Sequence, residues 1–596
     1  MSWLFAAIEA SHGNHKASPW CHEAPLGTIS MPSLYLALGG NPDTCFWENN
    51  PETSVGWAVV GVGILRADSH ASILTRADWA RLLTRESFDA TSLDGHFVAL
   101  RWKHDQIECF TDQLGLRAVY FCKHAGGVCI STRIDWLART TGYAEIDFPS
   151  LGSRWLMFNQ VSYDSCVVGI ERLGPGGHVT FKKGSLIESS STPWLPSFQF
   201  AATTTALDIL RSFVMCALNH KRTPSLGLSG GIDSRLLLAI LTSCPNQGFV
   251  SHTFGDPQDP DVRIAGRITT TMGLAHYYFN DPLPEVSRCV SAIFSFVAHT
   301  SLIEPCSSFL KLRYYSRLRE NGRLMIDGGF GEIARRQYLN RIVRFGRVAL
   351  RTRNSYRLFH LMQSHRADIF SPDVTHLLED GARRDLDRVL NEMPEIEKIG
   401  VENFTDLLAV RTRVPNYGAP EQARLDSEVL NFMPLVQPSF LRAVFGIPTK
   451  LRSNAGVYYS IIRTLNPALT RFPLAKSGVT YRFGLSSNVS WLTTKIKARV
   501  AGSFSDPNPD LLLGRLRDYV LDTVHSKDIA TNPMYDTDKV IDAVSRYYRG
   551  ELHLRNTVDW WLTFELWRQT LQHPPNAACL LQETAEPSDR TVRRSI

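Results

Sequence analysis

The sequence lacks several features that would quickly place it in a class of proteins. Its eleven cysteines are spread singly along 596 residues, without a C-x-x-C pair or a His/Cys cluster at metal-ligand spacing. That distribution argues against a disulfide scaffold and a zinc site, and it favours a reducing, cytoplasmic location. Dense basic charge is also missing, because 64 Lys and Arg against 58 Asp and Glu leave a formal net charge of +6. We therefore expect no nucleic-acid partner.

Long apolar runs are missing too, so we expect no membrane partner. Residues 1–9 lack a basic region and their apolar stretch is broken by Glu9, which predicts a short strand rather than a targeting sequence. No internal repeat is present. The length, with 44% hydrophobic and 20% charged residues, predicts a soluble globular protein of two or three domains.

The hydrophobic pattern changes near residue 190. Before it, short apolar runs at 57–62, 96–102, 106–110 and 127–130 predict a sheet-rich domain over residues 1–190, followed by a Ser/Thr/Pro-rich linker. After it, alternating strand and helix patterns to about residue 330 predict a parallel sheet with helices on both faces. A mainly helical part from 404 completes a second domain over residues 200–572, and the composition of 573–596 predicts a disordered tail.

Residues 229–234 read Ser-Gly-Gly-Ile-Asp-Ser between a short apolar strand and a helix. Glycines let a backbone approach an anion, a helix N-terminus directs free N–H groups at it, and serine hydroxyls add donors. We interpret this segment as a loop that binds the pyrophosphate of ATP, although a capped helix after a tight turn is the alternative. The residues expected to contact ATP are Leu228, Ser229, Gly230, Gly231, Asp233 and Ser234.

Asp233 inside this loop would repel phosphate unless a divalent cation stood between them, so it predicts Mg²⁺ as a cofactor. The loop has no lysine of the G-x-x-x-x-G-K-[ST] type. Loss of pyrophosphate is therefore expected rather than transfer of the γ-phosphoryl group.

The loop resembles that of the PP-loop ATP pyrophosphatases, and in particular the synthetase domain of the class B asparagine synthetases. The resemblance continues through residues 252–255 and through Asp261, Ala265, Gly273 and His276. It implies that Phe254 contacts adenosine, against the alternative of a buried strand aromatic.

Residues 327–332, Asp-Gly-Gly-Phe-Gly-Glu, resemble in part the G-E-G-x-D-E loop of this family. Glu332 keeps the last glutamate, whereas Gly331 stands at the position of the metal-binding aspartate and Gly328 at that of the first glutamate. The resemblance implies that Gly328 lies at the nucleotide and that Asp327 supplies the second Mg²⁺ carboxylate, against an ordinary turn aspartate.

Residues 473–478 resemble the family pattern P-x-x-K-x-G. The resemblance implies that Lys476 reaches the activated carboxylate and stabilises developing charge. A solvated surface lysine is the alternative.

Residues 93–97, 111–121 and 130–137 resemble strands of the glutaminase domain of the same family. The implied fold is an α+β, Ntn-type amidotransferase-like domain followed by an α/β PP-loop synthetase domain with a helical C-terminal part. Glutamine-using members need an N-terminal cysteine nucleophile. Here Ser2 precedes Trp3, so we expect a degenerate domain that releases no ammonia from glutamine.

Members without an ammonia source include the β-lactam synthetases and the lasso-peptide macrolactam synthetases. The variant loop at 327–332 and the arginine-rich segment 335–366 resemble the lasso branch. That resemblance implies adenylation of an Asp or Glu side chain of a precursor peptide, with a leader-removing protease as a second partner. The peptide's N-terminal amine then attacks, with Glu332 orienting or deprotonating the amine and Lys476 acting as above.

Alternatives remain open at this point. The alternatives to a lasso-peptide macrolactam synthetase are an ammonia-dependent asparagine synthetase, a small-molecule β-lactam synthetase and a non-catalytic relative. The arginine-rich segment either holds a peptide, faces the phosphates or forms a solvated helical face.

Overall fold

A computed structural model describes residues 2–9, 23–67, 70–124, 126–158, 160–244, 248–364 and 366–573. The tail predicted to be disordered lies outside these residues, apart from residue 573. The short strand predicted at the N-terminus is confirmed.

The strands of the described residues are β1 (Trp3–Glu9), β2 (Gly27–Met31), β3 (Leu34–Gly39), β4 (Cys45–Asn50), β5 (Val55–Ala67), β6 (His70–Ile73), β7 (Asp94–Lys103), β8 (Gln106–Thr111), β9 (Val119–His124), β10 (Gly127–Ser131), β11 (Glu171–Leu173), β12 (Gly177–Lys182), β13 (Ser185–Ser191), β14 (Thr223–Gly227), β15 (Val250–Phe254), β16 (His276–Phe279), β17 (Arg323–Ile326), β18 (Leu430–Phe432), β19 (Leu474–Lys476) and β20 (Val479–Tyr481).

The α-helices of the same residues are α1 (Arg76–Leu83), α2 (Ile134–Thr141), α3 (Phe148–Leu156), α4 (Thr203–Leu218), α5 (Ile232–Ser243), α6 (Pro260–Met272), α7 (Val286–Thr300), α8 (Tyr315–Glu320), α9 (Gly331–Ala334), α10 (Asn340–Phe345), α11 (Arg347–Arg351), α12 (Ser355–Met362), α13 (Pro372–Glu392), α14 (Ile396–Arg413), α15 (Ala419–Glu428), α16 (Pro438–Gly446), α17 (Thr449–Arg452), α18 (Gly456–Leu465), α19 (Ser487–Ala501), α20 (Asn508–Arg515), α21 (Arg517–Val524), α22 (Lys527–Thr531), α23 (Thr537–Tyr548) and α24 (Arg555–Gln572). A π-helical turn, Val414–Gly418, joins α14 to α15.

Two antiparallel sheets form the first part of the chain. One has the strand order β11-β9-β10-β1-β3-β2, and the other has the order β13-β12-β8-β7-β5-β4 with β6 added to β5. Their facing side chains share one buried cluster, which includes Leu36 of the first sheet and Val98 of the second. Alternating apolar residues on each strand therefore fill a sandwich, as the short apolar runs predict.

The parallel sheet predicted for the second part is confirmed, with the order β16-β15-β14-β17-β18. Ser225 in the central strand β14 lies opposite Val250 of β15 and Met325 of β17, and every strand pair is parallel. The chain moves from β14 to one side through α5 and later returns to the other side at β17. The carboxyl ends of β14 and β17 therefore form a topological switch point, where ligands bind in open α/β sheets.

The two parts of the chain are closely packed against each other. Helix α3 of the first part crosses α13 so tightly that a Cβ added at Gly152 would lie 2.0 Å from the carbonyl oxygen of Leu378. One buried cluster extends from Trp3 to Leu571. In the described residues, no helix combines the length and the apolar character that crossing a membrane requires.

Candidate active site

The loop after β14 lies at the switch point and is fixed from both sides. Leu228 continues the edge of the sheet, because its N–H donates to the carbonyl of His252 over 2.9 Å. The N–H of Gly230 donates to Asp261 Oδ1 over 2.8 Å, and the N–H of Gly231 donates to Ser229 Oγ over 3.1 Å. The loop thus keeps its shape through its own side chains and through the first turn of α6.

The two glycines of this loop serve different purposes. A Cβ at Gly230 would lie 2.7 Å from the Cβ of Ala475, so a glycine is needed there for packing. At Gly231 the only neighbour within 4 Å would be Ser229 Oγ, at 3.1 Å, so its open side leaves room for an anion. No side chain caps the N-terminus of α5, which leaves its first N–H groups free for such a ligand.

Asp233, in the first turn of α5, is held by an arginine. Arg335 Nε and Nη2 donate to its two carboxylate oxygens over 2.8 and 3.0 Å, in the bidentate geometry that favours this pair. Burial raises the pKa of Asp233, and Arg335 opposes that rise. Both side chains remain nearly one-fifth exposed, so the pair faces the cleft rather than the core.

The loop after β17 packs directly on the first turn of α5. A Cβ at Gly328 would lie 3.0 Å from the backbone nitrogen of Ser234, and one at Gly331 would lie 2.4 Å from Asp233 Oδ1. The space that a longer residue would need at position 331 is therefore occupied by the Asp233 carboxylate.

Asp327, at the start of this second loop, is a buried carboxylate. It accepts a hydrogen bond from the N–H of Gly329 over 3.0 Å. Burial raises its pKa to about 6, and the nearby charge of Asp233 adds to the increase. Asp233 and Asp327 therefore lie close enough to repel each other, and a cation would relieve that repulsion.

Lys476 lies on the hairpin of β19 and β20, which packs beside the first loop. The N–H of Ala475 donates to the carbonyl of Gly230 over 3.0 Å, which joins this hairpin to the first loop. Arg235 strengthens the connection, because its guanidinium donates to the carbonyls of Phe472 and Pro473 over 2.8 and 2.7 Å. The side chain of Lys476 reaches solvent, and its pKa is lowered by partial burial and by Arg335.

Phe254 ends β15 at the carboxyl edge of the sheet, one strand away from the first loop. Its ring stacks on Tyr314 with 5.2 Å between centroids and meets the edge of Tyr315 at 5.5 Å. Phe254 is half-buried, so part of the ring is already covered by these tyrosines. The adenosine contact stays a prediction.

Glu332 also lies in this cleft, and it forms a strong ion pair. Arg413 Nε donates to its carboxylate over 2.8 Å. The Arg413 guanidinium is fixed in turn between the rings of Tyr338 and Tyr417, at 4.4 and 4.5 Å from their centroids. Arg413 ends α14 just before the π-helical turn, a feature that often occurs at functional sites.

A second group of charged residues beside Asp327 was not found from the sequence. Arg424 Nη1 donates to Glu304 over 2.6 Å, Tyr417 donates to the same carboxylate over 2.7 Å, and Glu421 lies 3.7 Å from Arg424 Nη2. These residues come from α15 and the segment after α7. No motif in the sequence indicates them, because they come from distant segments.

The arginine-rich segment 335–366 divides into two sets. Arg335 binds Asp233, and Arg336 binds Asp406 over 2.7 Å, so these two hold the site together. The side chains of Arg341, Arg344, Arg347, Arg351 and Arg357 are exposed. Of the described arginines in the segment, Arg335 alone contacts the phosphate loop, and the exposed set matches the solvated-face alternative.

Ser2 is fully buried in the first domain. Its hydroxyl bonds to Thr44 and accepts from the N–H of Asn41 over 3.1 Å, while its carbonyl accepts from Arg117 over 2.8 Å. A hydroxyl held in this way has no open approach for glutamine. Cys45 beside it is also buried, and burial raises the pKa of its thiol to about 11.

The donor set fits ATP and magnesium. Asp233 and Asp327 supply carboxylate oxygens, which Mg²⁺ prefers, and the open side of Gly231 with the uncapped start of α5 suits a phosphate. Arg335 occupies the Asp233 carboxylate and gives it a positive neighbour. Within the described residues, no group of three or more His, Cys, Asp or Glu side chains is arranged to hold a metal, so further ligands would come from phosphates and water.

Comparison with known proteins gives little guidance. No protein-family model matches the chain, and no curated protein matches it. Among solved structures, a U34-tRNA thiolase from Methanococcus maripaludis with its [4Fe-4S] cluster matches 35% of this chain and 78% of its own, with 13% identity and a TM-score of 0.18. Glutamine PRPP amidotransferase from B. subtilis, complexed with ADP and GMP, matches 56% and 71%, with 9% identity and a TM-score of 0.19.

A third structure, described as the allosteric regulatory enzyme of purine biosynthesis, matches 56% of this chain and 70% of its own, with 10% identity and a TM-score of 0.19. At these scores the similarities carry no argument about activity. The antiparallel sandwich, the parallel sheet and the helical C-terminal part are observed directly, whereas the named fold families remain predictions.

Proposed function

We propose that this chain is an ATP-dependent, AMP-forming ligase that makes amide bonds, and that it closes the macrolactam ring of a lasso peptide. One observation carries the proposal. The loops at 228–234 and 327–332 and the Lys476 hairpin meet at the switch point of the parallel sheet, with two carboxylates, an arginine and a lysine around one cleft.

The residues of this cleft have separate tasks in the proposed reaction. The Ser229 to Ser234 loop binds the pyrophosphate portion of ATP, and Asp233 and Asp327 hold Mg²⁺, which screens phosphate charge. Lys476 stabilises the negative charge that develops when an Asp or Glu side chain of the peptide is activated and when the amine attacks. Arg335 orients Asp233 for this task.

The buried Ser2 supports a substrate that brings its own amine. With the Ser2 hydroxyl buried and hydrogen-bonded, we do not expect it to release ammonia from glutamine. An amine in the same peptide as the activated carboxylate needs no ammonia source, because alignment raises its effective concentration to the order of 10⁵ M or more. A protease that removes the leader peptide would then act first, since the amine exists only after cleavage.

A product assay tests the proposal. The purified chain is incubated with MgATP and a synthetic leader-free peptide taken from a short reading frame beside the gene. We expect AMP, pyrophosphate and a peptide lighter by one water. A parallel incubation with aspartate and ammonium tests the asparagine synthetase alternative, and asparagine formed there would contradict the lasso proposal.

A further inference from the structure

Three carboxylates of the cleft are held by arginines. Asp233 binds Arg335, and Glu332 binds Arg413. Glu304 receives both the Arg424 guanidinium and the Tyr417 hydroxyl. Glu421 is left, on the same helix as Arg424, with a single ion contact of 3.7 Å to a guanidinium that already serves Glu304. Among the described residues, Glu421 forms no hydrogen bond in this structure.

Glu421 is also more exposed than its neighbour Glu304. About a quarter of its side chain is exposed, against 11% for Glu304. The charges around it are those of Arg424, Glu304, Asp327 and Arg413, so it lies on the Asp327 side of the site. A mostly buried carboxylate without a hydrogen bond is costly, and a cationic ligand would remove that cost.

Glu332 is poorly arranged to serve the same ligand. Its carboxylate is engaged by Arg413 Nε at 2.8 Å, and the rings of Tyr338 and Tyr417 hold that guanidinium in place. Its charge also adds to the raised pKa of Asp233, which places it toward the phosphate side of the cleft. An amine approaching Oε1 of Glu332 would compete with this arginine, and the positive charge of Arg413 would repel an ammonium group there.

Building on the proposed ligase function, we propose that Glu421 binds the attacking amine of the substrate and accepts its proton during amide formation. The amine nitrogen forms a bond to the acyl carbon, and the bond from that carbon to the AMP oxygen breaks. AMP leaves with the electron pair, and the proton released from nitrogen passes to the Glu421 carboxylate. Glu332 then positions Arg413 and takes no proton.

The electrostatics of the cleft suit this role. Burial raises the pKa of Glu421 to about 7, Arg424 opposes the rise, and Glu304 adds to it. A carboxylate of that basicity is a better proton acceptor than a solvated glutamate at neutral pH. The negative charges of Glu304 and Asp327 also favour a cation beside Glu421.

The test is Glu421→Gln, which preserves shape and removes the proton acceptor. The leader-free peptide and MgATP are supplied with or without hydroxylamine, which is already neutral at pH 7 and traps the activated carboxylate as a hydroxamate. We expect the ratio of macrolactam to hydroxamate to fall by about 100-fold or more, the size of a lost general base. Glu421→Asp keeps the carboxylate and is expected to recover part of the ratio.

Glu428→Gln is the matched control. Glu428 lies on the same helix α15, about two turns beyond Glu421, is 27% exposed and has its own 3.7 Å ion contact, with Arg319 rather than with an arginine of the cleft. We expect it to leave the ratio unchanged.

Three results would overturn the assignment. An unchanged ratio in Glu421→Gln, with an active wild type, rejects Glu421 alone. An equal loss of both products, with a lower melting temperature, shows a structural role. A wild-type chain that forms neither hydroxamate nor macrolactam rejects the ligase function itself and this assignment with it.

Discussion

At the scale of single residues, arginines decide how the carboxylates of the cleft are held. Arg335 orients Asp233 toward the phosphate loop, and Arg413 engages Glu332. Each arginine comes many residues after its partner in the chain, so the two pairs connect separate segments. Replacing Arg335 by lysine would lose its planar, two-pronged contact with Asp233 even though the charge is kept.

Asp233→Ala provides the residue-scale prediction. The change removes a candidate Mg²⁺ ligand and leaves Arg335 without its carboxylate, so peptide-dependent pyrophosphate release should fall by about 100-fold or more. Ser229→Ala removes a hydroxyl that supports the same loop and is also expected to abolish most of the release. Circular dichroism should show both variants folded, because the Asp233 pair is partly exposed.

Asp208→Ala is the control for this series. Asp208 also pairs with an arginine, Arg211 at 3.6 Å, but on the exposed surface of α4. The pyrophosphate release of the Asp208→Ala variant should equal that of the wild type. Full activity in Asp233→Ala would mean that the loop does not bind the metal-nucleotide.

Residue by residue, the sequence predicts the phosphate loop better than the rest of the cleft. Ser229 to Ser234 is contiguous, so its chemistry can be read directly, and Lys476 and Asp327 follow from family resemblance. Glu304, Arg413, Arg424 and Glu421 come from distant segments and meet only through folding. No spacing in the sequence marks their pairing, because α15 looks like an ordinary amphipathic helix.

At the scale of elements, the site depends on how closely the loop after β17 packs on α5. Gly331→Ala would place a methyl group 2.4 Å from Asp233 Oδ1 and force that side chain away from Arg335. We expect a loss of about 1–3 kcal/mol in unfolding free energy, as for other overpacked sites, together with at least a tenfold loss of pyrophosphate release. Thermal unfolding and the product assay measure the two effects.

Gly266→Ala serves as the comparison, because a Cβ there meets nothing within 4 Å in the helix α6. It should leave activity unchanged and add about 0.5–1 kcal/mol of stability. If Gly331→Ala behaved like Gly266→Ala, the contact between the two loops would not matter for the site.

The elements themselves were largely predictable, and their arrangement was not. Alternating apolar patterns locate β5, β7, β8 and β10, and the change to a 3.6-residue period locates α4. The order β16-β15-β14-β17-β18 rests on pairings between distant segments, such as Thr223 with Arg323 and Leu324 with Leu430, so no local pattern encodes it. The hairpin that brings Lys476 to Gly230 is likewise a tertiary contact.

At the scale of the whole molecule, a buried ion cluster links the first domain to the helix that carries Glu421. Arg117 binds Asp426, and His96 Nε2 lies 3.2 Å from the same carboxylate, with these side chains at most 2% exposed. Asp426 lies on α15, five residues beyond Glu421. The first part of the chain therefore holds the helix that carries Glu421 in place.

Arg117→Met tests this support. It leaves the Asp426 charge poorly compensated in the core, which typically costs about 3–5 kcal/mol when one partner of a buried pair is removed. We expect urea unfolding to shift to lower concentration and amide formation to weaken with it. Arg81→Met breaks a surface pair with Asp78 and should change stability by less than about 1 kcal/mol. Equal effects of the two changes would argue against a supporting role for the first domain.

The boundary predicted near residue 190 is crossed by contacts that the sequence pattern does not predict. Composition predicts a linker after β13, and whether it bounds two independent domains stays a prediction. The contacts of α3 with α13, and of Arg117 with Asp426, cross that boundary. Such contacts depend on shape and on buried charge, which composition does not report.

The central claim, that the loop at 229–234 directs activation of a carboxylate as its AMP ester, is tested most directly by following oxygen. The leader-free peptide is prepared with heavy oxygen in its acceptor Asp or Glu carboxylate and turned over with MgATP. We expect AMP that carries one heavy oxygen from the peptide, together with unlabelled pyrophosphate. ADP with labelled inorganic phosphate, or AMP without label, would contradict it.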